Sequence, residues 1–223
     1  MRHNHLLNKN FIGSICLFFA VFLGTGSAFA GSYEDALDAA MHGNASLLTS
    51  LLDRGIDPDT VDANGNTLLI LAAREGELDV VNTLLAHHAN VTKRNLAGDS
   101  ALMLAVLKGY DKVANRLLDA GAPINHSGWN PLLYAAFEGH TEMAKELIKR
   151  GADINALAPN KSTPLMLAAR NGHLDLVKVL IKAGAKLDLR NDHGLDAAAW
   201  ARENGNTDAA DLIDAARKAQ GAS

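Results

Sequence analysis

Ser162 to Lys186 reads STPLMLAARNGHLDLVKVLIKAGAK, and it holds every signal needed to start and stop two short antiparallel helices. Thr163 is a residue type that caps helices, and Pro164 suits a first turn, where its missing N–H has no intrahelical partner to lose and its φ is already helical. Gly172 ends the first helix, since a residue without a Cβ enters the left-handed region freely, and Gly184 ends the second in the same way. Leu165, Leu167, Ala168, Leu174, Val177, Leu180 and Ile181 recur at helical spacing, while the small Ala168 and Ala169 let the helices approach closely. One such hairpin has too little core to fold alone and requires neighbours stacked on it.

Those neighbours follow a fixed spacing. The inter-helix glycine recurs as Gly43, Gly76, Gly109, Gly139, Gly172 and Gly205, at steps of 33, 33, 30, 33 and 33. Thr163-Pro164-Leu165-Met166-Leu167-Ala168-Ala169 with Gly172-His173 closely resembles the ankyrin signature T-P-L-H-x-A-A-x-x-G-H, with Met166 in place of its usual histidine. Asn130 to Ala136 with Gly139-His140 is similar, and Asn66 to Gly76 and Asp99 to Gly109 are looser copies that lack the proline. The resemblance runs from about Tyr33 to Ala216 and implies an all-α fold: an ankyrin-repeat solenoid of about six helix-turn-helix repeats joined by β-hairpin-like fingers. The repeats are expected at about 33–65, 66–98, 99–128, 129–161, 162–194 and 195–216, within a single domain over 31–223 that ends in a short polar tail, 217–223.

Residues 1–30 read as an address rather than as part of the fold. Arg2 and Lys9 make a basic leader, Phe11 to Leu23 is an apolar run, and Ala28-Phe29-Ala30 is a small-x-small cleavage site before Gly31, which together describe a secretory signal peptide. The apolar run is shorter than the roughly 20 residues a spanning helix needs. Ile15, a large residue, precedes Cys16, which argues against a lipoprotein signal. Cleavage takes two basic and no acidic side chains away and leaves 19 basic against 25 acidic, a net charge near −6 that disfavours nucleic acid and anionic lipid as partners. Cys16 leaves with the leader, so stacking rather than disulfides must hold the mature chain. The expected location is the bacterial periplasm, with secretion beyond the cell as the alternative.

The end repeats read as caps. Glu34, Asp35 and Asp38 mark a wet face on the first, and Asp208, Asp211 and Asp214 mark one on the last, opposite Ala209, Leu212, Ile213 and Ala216. Asp57 to Gly65, Asn90 to Gly98 and Asp188 to Gly194 supply the residues of tight turns, whereas the finger at Asn125 to Gly128 is three residues short and should leave a notch. His88 stands where Gly55, Gly121, Gly151 and Gly184 end their helices, so it must go left-handed or end that helix less tightly.

No catalytic constellation is present. The chain has no H-E-x-x-H, no G-x-S-x-G and no phosphate-cradling glycine loop, and after cleavage it has no cysteine, so no enzyme, cofactor or metal site is expected. His140 and His173 share one repeat position where histidine resembles a structural hydrogen-bonding residue, and stacked helices roughly 8–10 Å apart hold equivalent rings too far apart to share a metal.

What remains is a binding surface. Six stacked hairpins make an arc roughly 50 Å long, and the resemblance implies that the residues before each inter-helix glycine and at the fingers make the contacts. Here these are Arg74 and Glu75, Leu107 and Lys108, Phe137 and Glu138, Arg170 and Asn171, with Leu96, Asp99, Trp129 and Asn160 on the fingers. Leu96, Leu107, Trp129 and Phe137 break the polar pattern around the short finger and suggest a hot spot, unless Trp129 packs on its own finger. Tyr134 and Trp200 stand at the position of Leu71, Leu104 and Leu167 and are expected in the core. The resulting expectation is a non-enzymatic protein-binding module, a monomer by itself, whose concave face binds a folded partner and protects, inhibits or assists an exported enzyme. Bacterial proteins of this resemblance accompany catalases or cell-wall hydrolases. The alternative is a secreted effector that binds a host protein.

Overall fold

A computed structural model describes the backbone of residues 26–221 and the side chains of 31–220. The basic leader, the apolar run with Cys16, and the last two residues lie outside the described residues. The described residues form twelve helices in six antiparallel pairs: α1 (Gly26–Met41) with α2 (Ala45–Asp53), α3 (Leu68–Glu75) with α4 (Leu78–Ala86), α5 (Ala101–Leu107) with α6 (Asp111–Asp119), α7 (Pro131–Glu138) with α8 (Thr141–Lys149), α9 (Pro164–Arg170) with α10 (Leu174–Lys182), and α11 (Ala197–Glu203) with α12 (Thr207–Gly221). Helix α1 therefore runs across the junction between Ala30 and Gly31. The fingers keep only two isolated antiparallel bridges among the described residues, Val61 with Thr67 and Arg94 with Ser100.

First and second helices start differently, and the difference explains the stacking. Thr67, Ser100, Asn130, Thr163 and Asp196 each accept a hydrogen bond from the backbone N–H three residues on, satisfying an orphan donor at the start of a first helix. Met166, where the signature has histidine, lends its sulfur to the backbone N–H of Thr163 at 3.4 Å. The residues that open α4, α6, α8 and α10 are Glu77, Tyr110, His140 and His173, and none of them caps its own helix. Instead these side chains lie over the inter-helix glycine of the repeat before: a Cβ on Gly43 would meet Glu77, on Gly76 Tyr110, on Gly109 His140 and on Gly139 His173, each within 3.0 Å. The six inter-helix glycines all have left-handed φ, between 73° and 82°, as the helix stops require.

Two rows result. The first helices form an inner row in which each touches the next, and one apolar core runs through them from Ala36 to Ile213. The second helices form an outer row with sustained contact from α2 to α6 and again from α8 to α12, but contact between α6 and α8 is sparse. That sparse junction falls where the glycine spacing drops to 30. Polar groups span it: Arg150 pairs with Asp119 at 2.8 Å, and Asn125 donates to the Gly151 carbonyl at 2.8 Å.

Two expectations need correction. The chain does not end its order at Ala216, because α12 continues to Gly221. Arg217, assigned to the tail, donates to the Leu187 carbonyl at 2.8 Å and pairs with Asp196 and Asp214, which ties that last turn to the fifth and sixth repeats. Tyr134 and Trp200 are only partly buried, since their rings are longer than the leucines of the other repeats and overrun the space that those fill. His88 is left-handed, with φ of 63°, and so is Lys161, with φ of 60°, which occupies the finger position held elsewhere by Gly65, Gly98 and Gly194.

An amide rung cross-links the second and third repeats' fingers, and its counterpart between the fifth and sixth repeats' fingers is missing. Asn66 donates to Asp62, and Asn95 of the next finger donates to Asn66, both at 2.8 Å. Two fingers share the same register, because Leu96 N–H donates to the Asn64 carbonyl as Asp192 N–H does to that of Asn160. There the positions of Asp62, Asn66 and Asn95 are held by Ala158, Ser162 and Asn191. The Ser162 hydroxyl and the Asn191 amide nitrogen are the buried side-chain atoms without a hydrogen-bond partner among the described residues. Serine is too short to meet the amide, and alanine supplies no acceptor. The double variant Ala158→Asp/Ser162→Asn rebuilds the rung and is expected to raise the unfolding free energy by about 1–2 kcal/mol. Urea unfolding measures it, and an unchanged midpoint refutes the account.

Candidate protein-binding surface

The groove between the fingers and the ends of the inner helices carries the residues singled out by the sequence, but they divide into two groups. Several are committed to their own fold. Arg170 holds its guanidinium 4.9 Å from the ring centre of Trp200 on the next repeat. The side chain of Asn171 donates to the Phe137 carbonyl at 2.7 Å, and His173 Nε2 approaches the same oxygen at 3.0 Å, which requires that nitrogen to carry the proton. Arg74 is spent on its neighbour Glu75 at 2.7 Å. His140 likewise reaches the Leu107 carbonyl, at 3.4 Å, so both signature histidines serve the repeat before them by binding the last carbonyls of its first helix.

The other group stays available. Leu96 is 82% exposed at the tip of its finger, where its backbone N–H is bonded to Asn64 and its side chain leans on Gly65. Lys108 and Glu138 are exposed, and Leu107 is half-buried against the core. Phe137, one residue before the end of α7, is exposed although aromatic. Trp129 does not stand free on its finger. It is half-buried, stacked on Tyr134 at 5.0 Å between centres, with Phe137 edge-on at 6.0 Å and 87°. The reading in which Trp129 packs is therefore the observed one, yet what it packs on is the half-exposed Tyr134 and the exposed Phe137, so the three rings form one surface.

Asp99 completes that surface. Tyr134 donates its hydroxyl to Asp99 at 2.9 Å, and burial together with this carboxylate holds the phenol well above its ordinary pKa, so it stays a neutral donor. Register alone puts Tyr134 and Trp200 in the core; the signal of their partial exposure is a ring at a position where three other repeats use leucine. Among the described residues no group of three or more histidine, cysteine, aspartate or glutamate side chains is placed to hold a metal.

An array of paired helices, inter-helix glycines and polar fingers around a groove defines a repeat solenoid of the protein-binding kind. The family model for ankyrin repeats (3 copies) matches the chain at residues 36–127, 95–158 and 132–219. The chain belongs to the ankyrin-repeat family. Among curated proteins it is 39% identical over 71 residues to potassium channel AKT2/3 of Arabidopsis thaliana, covering 32% of this chain and 9% of the channel. It is 38% identical over 100 residues to a putative ankyrin repeat-containing protein of Treponema pallidum (strain Nichols), covering 44% of this chain and 33% of that one. It thus spans a third or less of the length of these curated relatives. Among solved structures it is similar to a chain in the complex of a predatory endopeptidase from Bdellovibrio bacteriovorus with an immunity protein, with a TM-score of 0.74 and 30% identity over 81% of this chain and 97% of that one. The ankyrin repeat domain of Bcl-3, a member of the IkappaB protein family, gives a TM-score of 0.69 at 27% identity over 78% and 80%.

Proposed function

We propose that this chain is a non-enzymatic binding protein of the periplasm that grips a folded, exported enzyme in its groove and holds that enzyme in check. The partner class best supported is a peptidase or another cell-wall hydrolase. The observation that carries the reading is the surface of Trp129, Tyr134 and Phe137 at the fourth repeat, next to the shortened finger at 125–128. Exposed aromatic groups at the centre of a groove are the usual anchors of protein interfaces. The similar chain from Bdellovibrio bacteriovorus sits in a complex between an endopeptidase and an immunity protein, which supports an enzyme as the partner. The leader of residues 1–30 supports export.

The test uses periplasmic extract of the producing cell. Tagged parent protein is expected to retain an exported hydrolase whose activity falls on binding, and the Phe137→Ala variant is expected to lose it. Mass spectrometry of the protein from cells should find a chain beginning at or near Gly31 and carrying no lipid. Intact chain from Met1 recovered from the cytoplasm refutes the location. Equal retention by parent and variant refutes the site.

A further inference from the structure

We propose that the aromatic surface at the fourth repeat receives an arginine side chain of the bound partner, with Asp99 as its counter-charge. The proposal rests on the reading of this groove as the partner site and names the chemistry by which it recognises that partner.

Asp99 is half-buried and takes the hydroxyl of Tyr134, yet its carboxylate forms no ion pair among the described residues. Partly buried carboxylates favour a nearby cation, because a pair that is shielded from water interacts more strongly than an exposed one. Tyr134 touches it, Trp129 stacks on Tyr134 at 5.0 Å and Phe137 meets Trp129 at 6.0 Å between centres, and the face of an aromatic ring attracts a cation. Glu138, exposed next to Phe137, adds a second negative group to the rim.

The same groove already holds one such arrangement. At the fifth and sixth repeats Arg170 lies over Trp200, and these two occupy the repeat positions of Phe137 and Tyr134. The groove therefore admits a guanidinium flat on a ring. Two junctions earlier, the residue that stands before Tyr134 as Arg170 stands before Trp200 is Leu107, which is uncharged. The rings of the fourth repeat are thus the aromatic half of a cation–ring pair whose cation is not supplied among the described residues. A planar guanidinium suits them better than an ammonium, since it stacks on a ring while donating to a carboxylate at its edge.

The test needs no knowledge of the partner. Acetyl-arginine amide is titrated into the protein and compared with acetyl-citrulline amide, which has nearly the same shape and no charge, while the indole N–H resonances of Trp129 and Trp200 are followed. Arginine is expected to shift the Trp129 resonance saturably and citrulline is expected to leave it nearly unmoved. Asp99→Asn should weaken the arginine response about two- to fivefold, the size of a partly exposed charge pair. This variant keeps the fold, because Asn66 is the native residue at the same position of the second repeat. An equal response to citrulline, an unchanged affinity in Asp99→Asn, or a larger response at Trp200 overturns the proposal. Failure to retain a hydrolase from periplasm would leave this titration untouched, so the two readings fail separately.

Discussion

Gly172→Val should lower the stability of the whole array by about 3 kcal/mol, whereas Gly205→Val should cost about half of that and only at one end. Both glycines are left-handed, with φ of 75° and 77°, where an L side chain costs roughly 1–2 kcal/mol. Beyond that strain they differ. A Cβ on Gly172 would lie 2.6 Å from Asn206 Oδ1, so the side chain of Asn206 must move and surrender the hydrogen bond it donates to the Arg170 carbonyl. A buried carbonyl left without its donor costs about 1–3 kcal/mol. At Gly205 nothing lies within 4 Å of a Cβ placed there. For a chain of this length the larger figure corresponds to a loss of about 6–12 °C in melting temperature. Hydrogen exchange should show the Gly205 variant opening at α11 and α12 while the inner repeats stay protected. Equal losses in the two variants would contradict the assignment of the extra cost to the neighbouring repeat.

Phe137→Ala should weaken partner binding by about 2–4 kcal/mol with the fold intact, the range for an aromatic anchor at an interface centre. Phe137 is exposed, and the groups that hold its helix end, Asn171 and His173, act on its backbone carbonyl rather than its ring. Removing the ring therefore leaves the stacking bonds in place. Trp129→Ala is expected to weaken binding comparably, but it also unstacks Tyr134, so its effect on stability has to be subtracted. Glu75→Ala is the proper control because its partner Arg74 adjoins it on the rim, and rim charges contribute little. Arg170→Ala is not a neutral control, since it would uncover Trp200. Binding measured by calorimetry decides the matter: equal affinities for the parent and Phe137→Ala place the interface elsewhere.

The repeat spacing made the fold readable before any coordinate, because cap, proline, glycine and apolar position are local signals that recur in register. Thr163, Pro164 and Gly172 do in the structure what their chemistry requires. The candidate surface was only half readable. Periodicity locates the positions before each glycine, but it does not say whether a polar side chain there faces solvent or reaches a neighbouring repeat, as Arg170 does forward to Trp200 and Asn171 does backward to the Phe137 carbonyl. Nor does it measure volume. Tyr134 and Trp200 hold core positions by register and leave the core by size. The contact of Tyr134 with Asp99 spans 35 residues and arises only when two repeats stack.

The carbonyls at the end of a first helix are bonded by the repeat that follows: Leu107 by His140, Phe137 by His173, Arg170 by Asn206. This gives the assembly a direction. A chain that emerges N-terminus first has, at every stage, one newest repeat whose helix end is still open to water, and all earlier ones are closed. The closing group is also the residue that blocks the glycine, so an incoming repeat either seats fully or not at all. Growth by such steps leaves few half-docked states to aggregate, and it makes truncation from the C-terminus shed the array one whole repeat at a time.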